Sequence, residues 1–192
     1  MISVPIEDPI ENAENMIEWS KEYRLTWGDF QRDPILTRHQ AESVVGFRRK
    51  FTDTKIFEED GKYYFKIICD GVISYFKKKE SWVLEKQKVA SNQEMILKHE
   101  QGHFDLMEIY AIQYWNEIQK LCKKTFECLG NSKRARKAFS EKKGKKLLDK
   151  MEKIIAVRCN VEQKEYDDKT NYGQKETEQL RYLEDVESRL QN

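Results

Sequence analysis

The sequence predicts an α+β fold in which strands come first and helices follow. Two patterns carry this. Between about residues 20 and 83, β-branched and aromatic runs alternate with turn dipeptides such as Asp60-Gly61 and Asp70-Gly71. From about residue 91 to 192 the apolar residues recur at helical spacing. Strands followed by helices imply α+β. No repeat and no Pro/Ser/Gly linker splits the chain, so residues 1–192 read as one domain.

Composition sets the class. The chain has 192 residues, 36% charged and 39% hydrophobic, enough for a sizeable core and unlike a disordered chain. A net charge of +1 creates no global field that would select nucleic acid or an anionic membrane. No apolar run approaches the roughly 20 residues of a membrane span, so no transmembrane segment is expected. Residues Met1–Pro9 lack a basic region followed by an apolar stretch and do not read as a leader.

The elements follow in order. Residues 11–20 read as a helix, and Tyr23–Phe30 as a strand running into a turn. Ser43–Thr52 reads as a strand, with Val44, Val45, Phe47 and Phe51 as its apolar residues. Lys62–Cys69 and Val72–Phe76 read as strands, paired across Asp70-Gly71. Ser91-Asn92-Gln93-Glu94 has the S-x-x-E form of a capping box, which starts a helix near Asn92. That helix should run to about Lys120. A second covers roughly Ser132–Val161, a loop spans Tyr166–Gly173, and a last helix covers about Lys175–Leu190.

The first of these helices carries the motif that matters most, His99-Glu100-Gln101-Gly102-His103, which reads H-E-x-x-H. Four residues make about one turn, so both imidazoles leave on one side and can grip one ion. Met95, Ile96, His99, His103, Leu106, Tyr110 and Tyr114 share a stripe of roughly 100°, so the histidines point into the buried face. Two unpaired core imidazoles would each leave a polar nitrogen unsatisfied. Zinc is the default metal for the pattern and hydrolysis the default chemistry, with Glu100 placed as general base. The plain alternative is a pair of satisfied core or surface histidines.

Other candidates are weaker. Glu108 lies about 180° from His99 and reads as a solvent-side or structural carboxylate. Asp105 is also off the histidine face. His39 reaches the site only through tertiary folding. Lys133–Lys153 carries ten Lys or Arg against three acidic residues, yet Phe139 is its lone aromatic residue. It reads as a solvated helix face offset by the acidic tail, and nucleic acid is not expected. Cys69, Cys122, Cys128 and Cys159 form no C-x-x-C, and both two disulfides and free thiols remain open.

Four ordered blocks give a resemblance. They are Leu25-Thr26-Trp27-Gly28-Asp29-Phe30, Ser81-Trp82, Leu97–Asp105 and Tyr166–Gly173. Together they resemble bacterial domain-of-unknown-function family 922, described as secreted zinc-dependent proteases. The likeness spans from Leu25 to the last helix. It implies a zincin-like fold, a peptide or protein substrate, and export to the envelope or beyond, with the leader absent from this chain. Position 172 is Tyr where the family block commonly has His, which leaves the third metal ligand open.

No helical residue after His103 combines ligand chemistry with the right face, so a third ligand should come from the Tyr166–Gly173 loop. Asp167 is the first choice, with Tyr172 nearby as a donor to a developing oxyanion. Asp167 as a simple turn cap, Tyr172 or His39 as ligand, and a site completed by water are the alternatives. The reading is a zinc metallopeptidase. Its rivals are a catalytically degenerate zincin-like binding module, to which Tyr172 points, and a helical protein that binds nucleic acid or a partner.

Overall fold

A computed structural model describes residues 13–34 and 39–191. Among the described residues the fold is α+β, with three α-helices and antiparallel sheets whose strands precede the helices except for one between the first two. The strands are β1 (Met16–Glu18), β2 (Ala41–Glu42), β3 (Val45–Arg49), β4 (Thr52–Glu59), β5 (Lys62–Cys69), β6 (Val72–Lys77), β7 (Trp82–Val83) and β8 (Phe126–Glu127). The helices are α1 (Gln93–Cys122), α2 (Lys133–Thr170) and α3 (Glu176–Gln191). Among the described residues no helix is long and apolar enough to cross a membrane. All four cysteines are free thiols, so the two-disulfide alternative falls.

The chain forms two compact units. One holds the residues up to Phe47, Ile73–Tyr110 and Arg158 onward; the other holds Arg48–Val72 and Ala111–Val157.

The first unit contains the H-E-x-x-H motif. Its β1 pairs antiparallel with β6, Ile17 opposite Phe76. Phe76 packs on Phe30 and Phe104, with ring centroids 5.2 and 6.0 Å apart. Leu106, Ile109, Tyr166 and Val186 form a further buried cluster, covered by Tyr182, Leu183 and Leu190. The Glu162 carboxylate gathers Tyr110, Tyr182 and Arg189, which fastens α3 to α1 and α2. Burial pushes the Glu162 pKa up, but the Arg189 and tyrosine hydrogen bonds outweigh it and hold it below the usual value.

Several sequence expectations are corrected in this unit. Residues 11 and 12 lie outside the described residues, and the rest of the expected 11–20 helix is a 3₁₀ turn, Ala13–Asn15, followed by β1. Pairing with β6 overrides the local preference, and Asn15 Oδ1 accepts the Lys79 N–H at 2.7 Å. Of the strand running into a turn expected at Tyr23–Phe30, only the turn forms, as a 3₁₀ turn at Trp27–Asp29. Asp29 Oδ2 draws it in by accepting both the Thr26 N–H and the Thr26 hydroxyl, at 2.8 and 2.9 Å. The strands around Asp70-Gly71 do not pair: β5 lies between β4 and β8, while β6 lies between β1 and β3. A strand with a neighbour on each side offers no free edge, so β6 has no room to bind an extended peptide by strand addition.

In the second unit β4 and β5 form a hairpin, Glu59 opposite Lys62. Asp60 and Gly61, with φ of 51° and 73°, make its two-residue turn. Phe65 packs on Phe126 and Phe139. Arg49 Nη2 meets Asp149 and Glu152 at 2.8 and 3.1 Å. The basic start of α2 is partly matched, since Lys137 meets Asp53 and Glu141, and Arg136 lies 3.6 Å over the Tyr63 ring.

Candidate metal centre

Helix α1 begins where the capping residues predict, with the Ile96 N–H donating to the Asn92 carbonyl at 3.1 Å. One turn later the chain buries His99, Glu100, Gln101 and His103 together. The apolar stripe is as expected at Ile96, Leu106, Tyr110 and Tyr114, while Met95 is half-buried. The buried surface is wider than that stripe, because Phe104 and Met107 are covered as well.

Helix α2 supplies the other half. It runs to Thr170, nine residues beyond the expected end at Val161, so Tyr166–Thr170 is helical rather than loop. Gln163, Tyr166, Asp167 and Thr170 therefore share one face at i, i+3, i+4 and i+7. The helix stops on a left-handed turn at Asn171, Tyr172 and Gly173, with φ of 49°, 55° and 78°. The Tyr172 N–H donates to the Asp167 carbonyl at 3.0 Å, the six-to-one bond of a Schellman cap with Asn171 in the left-handed position.

Three donor atoms meet between these helices. Asp167 Oδ1 lies 3.1 Å from His99 Nε2 and 3.0 Å from His103 Nε2, and the two nitrogens are 3.2 Å apart. A tetrahedral ion with bonds of about 2.0–2.2 Å has ligand–ligand edges of about 3.3–3.6 Å, so opening this triangle by a few tenths of an ångström seats one. The group could hold a metal ion.

Without an ion, a proton must do the same work. Burial disfavours a charged His103, but the Asp167 hydrogen bond and charge, with Glu100 and Gln163, outweigh it and raise its pKa to about 9. Burial dominates at His99 and lowers its pKa, despite Asp167. Burial also works against ionised Asp167, but both histidines hold its pKa well below the carboxylate range.

The surrounding groups fit an ion. Glu100 is 4% exposed, and its Oε2 has no hydrogen-bond partner among the described residues. A buried carboxylate oxygen without a donor is costly and calls for a water or substrate proton. Gln163 Nε2 donates to the His103 carbonyl at 2.9 Å, and its Oε1 lies 2.5 Å from His103 Nδ1. Thr170 Oγ1 donates to the Tyr166 carbonyl at 2.7 Å and lies 3.4 Å from His99 Nδ1. The Tyr166 ring stacks on His99 at 4.5 Å and meets His103 edge-on at 5.0 Å.

The other candidates are placed elsewhere. His39 packs on the Tyr172 ring, with centroids 4.5 Å apart, and is not among the clustered donors. Tyr172 is 39% exposed. Glu108 accepts the Ser74 hydroxyl at 2.6 Å, which makes it a structural carboxylate. Asp105 accepts from Trp19 Nε1 and Gln101 Nε2, both at 2.8 Å, and burial raises its pKa. Gln101 Oε1 accepts the Leu25 N–H at 2.8 Å, so the motif's middle residue ties the Leu25–Phe30 segment to α1. Ser81 Oγ links the Val44 N–H to the Lys77 carbonyl.

Sequence reasoning missed Gln163 and Tyr166 as parts of the site. Cys159, Gln163, Tyr166 and Thr170 carry the buried face of α2 past Val161, but Gln163 and Thr170 are polar, so no apolar period in the sequence marks it. No family model, no curated protein and no solved structure matches this chain.

Proposed function

We propose that this chain is a zinc-dependent metallopeptidase of zincin-like architecture. The observation that carries the reading is the meeting of His99, His103 and Asp167 beside the buried, unpartnered oxygen of Glu100. Two imidazoles and a carboxylate form a borderline-hard donor set suited to zinc, with a fourth position left for water. The resemblance of the four sequence blocks to family 922 supports a peptide or protein substrate and a secreted or envelope location.

A bound zinc would polarise both water and the scissile carbonyl. Glu100 accepts the water proton and returns it to the leaving amine. Asp167, ionised under all ordinary conditions, lowers the charge of the site. Tyr172, at the family's histidine position, is the candidate donor to the oxyanion.

One experiment separates this from its rivals. Purified protein should carry close to one zinc per chain, lost in His99→Ala and His103→Ala. It should cleave denatured protein substrates, and Glu100→Gln should keep the metal while losing activity on the order of 10²–10⁴-fold. Full zinc content in both histidine variants would overturn the metal site. Zinc binding without any cleavage would favour the second reading, a degenerate binding module, which the Tyr at position 172 makes specific.

A further inference from the structure

We infer that Gln163 and Thr170 are positioning residues that hold both site histidines, in their neutral form, as the Nδ1–H tautomer, so that both Nε2 lone pairs then face the Asp167 carboxylate. The inference rests on the metal reading for its consequence but not for the tautomers themselves.

Backbone polarity dictates the assignment. The His103 carbonyl can only accept, so the Gln163 group 2.9 Å from it must be the amide NH₂. That turns the Gln163 carbonyl oxygen, another pure acceptor, onto His103 Nδ1. Only a protonated Nδ1 satisfies it. One side chain thereby clamps both the main chain and the ring of His103, and it is fully buried.

The same logic holds at His99. A hydroxyl has one proton, and that of Thr170 is spent on the Tyr166 carbonyl, an acceptor at 2.7 Å. Its oxygen can then only accept, and it does so from the Gly173 N–H at 3.3 Å and from His99 Nδ1 at 3.4 Å. The cap of α2 and the tautomer of His99 are thus set by one hydroxyl. The tautomer of a ligating histidine follows the hydrogen bond made by its other nitrogen.

The consequence is preorganisation. Two lone pairs and a carboxylate oxygen point at one another, an arrangement that only a shared proton or a cation relieves. Neutral acceptors hold it here, where a carboxylate commonly stands behind a ligating imidazole. A neutral acceptor donates less electron density through the ring, leaving a bound ion more electron-poor.

Two measurements test this. Long-range ¹H–¹⁵N spectra of the metal-free protein at about pH 10, where imidazoles are neutral, should show Nδ1–H on both His99 and His103. An Nε2–H form at either overturns the inference whatever the metal does. This needs no substitution, so a variant that fails to fold does not blunt it. Zinc competition titrations supply the second arm. Gln163→Met, of similar shape but without the acceptor, should weaken binding about 10–100-fold, and Gln163→Glu, which keeps the acceptor, should not. Thr170→Val should weaken binding and Thr170→Ser restore it. A purely structural role predicts the reverse order for Gln163, since the buried charge would do the greater harm, and that order would overturn the inference. Nδ1–H on both rings in a protein that takes up no zinc would defeat the metal reading and leave the tautomer assignment standing.

Discussion

The phenol of Tyr166 stands against Gly102 so closely that any side chain at position 102 must displace it. A Cβ at position 102 would lie 2.8 Å from Tyr166 Cζ, nearer still to its hydroxyl oxygen, and 3.0 Å from Leu183 Cδ2. The missing side chain is what lets the Tyr166 ring lie flat on His99.

Gly102→Ala should therefore destabilise the protein. Helix propensity alone favours the alanine by about 1 kcal/mol. Overpacking against a ring that is fully buried costs about 1–3 kcal/mol, so the net effect is a loss of up to about 2 kcal/mol. Thermal denaturation should show a lower Tm, and zinc titration a weaker site, because the ring that must move supports His99. A raised Tm with unchanged zinc affinity would refute the packing account.

The H-E-x-x-H helix was legible because its information is local: a capping residue, a 3.6-residue period and two histidines four apart. The reach of α2 was not. Tyr166-Asp167-Asp168-Lys169-Thr170-Asn171 reads as a turn by composition, but the Thr170 hydroxyl folds back onto the Tyr166 carbonyl and Asn171 closes the helix in a left-handed cap. Asp167 was legible as a candidate ligand by chemistry and by elimination; the structure brings it to both histidines, although from a helix rather than the expected loop. The partners of β5 and β6 were illegible for a different reason. Alternation identifies a strand, yet it says nothing about which distant strand lies beside it.

Asp167 differs from the nearby acids in what it touches. Its Oδ1 meets both histidines, whereas Glu108 is held by Ser74 and Asp168 is exposed. Asp167→Ala should lower zinc affinity far more than Asp168→Ala or Glu108→Ala, by no less than the about 10–100-fold that loss of a supporting residue behind a ligand costs. Equal, small effects in a competition titration would remove Asp167 from the site.

Metal uptake should release a proton. In the metal-free protein the His103 pKa is raised to about 9 from 6.5, so at pH 7 this ring is charged and must lose a proton to bind an ion. His99, with its pKa lowered, is already neutral there. Zinc affinity should rise about tenfold per pH unit up to about pH 9 and level off above it, with about one proton released per ion. Without metal the sign for stability is opposite. The proton on His103 contributes stability that is fully present below pH 6.5 and lost as pH rises through about 9. Calorimetric titration in buffers of different ionisation enthalpy counts the proton. An affinity that is flat between pH 6 and pH 8 would contradict the charged state of His103.

Gly173 is the position where the α2 cap meets the His99–His103–Asp167 cluster. Its φ of 78° is left-handed, and a Cβ there would lie 2.9 Å from His99 Cβ and 3.2 Å from His99 Cγ. Two costs therefore add in Gly173→Ala: about 1–2 kcal/mol for the left-handed backbone and about 1–3 kcal/mol for the collision. Asn171, also left-handed but exposed and of a type that tolerates the region, provides the control. Asn171→Gly should leave Tm and zinc affinity within error of the parent, whereas Gly173→Ala should lower both, because the ring of His99 is pushed away from Asp167. If Gly173→Ala lowered Tm alone, the turn would be a helix stop with no hold on the site. If Asn171→Gly weakened zinc as much as Gly173→Ala, backbone strain rather than contact with His99 would govern the coupling.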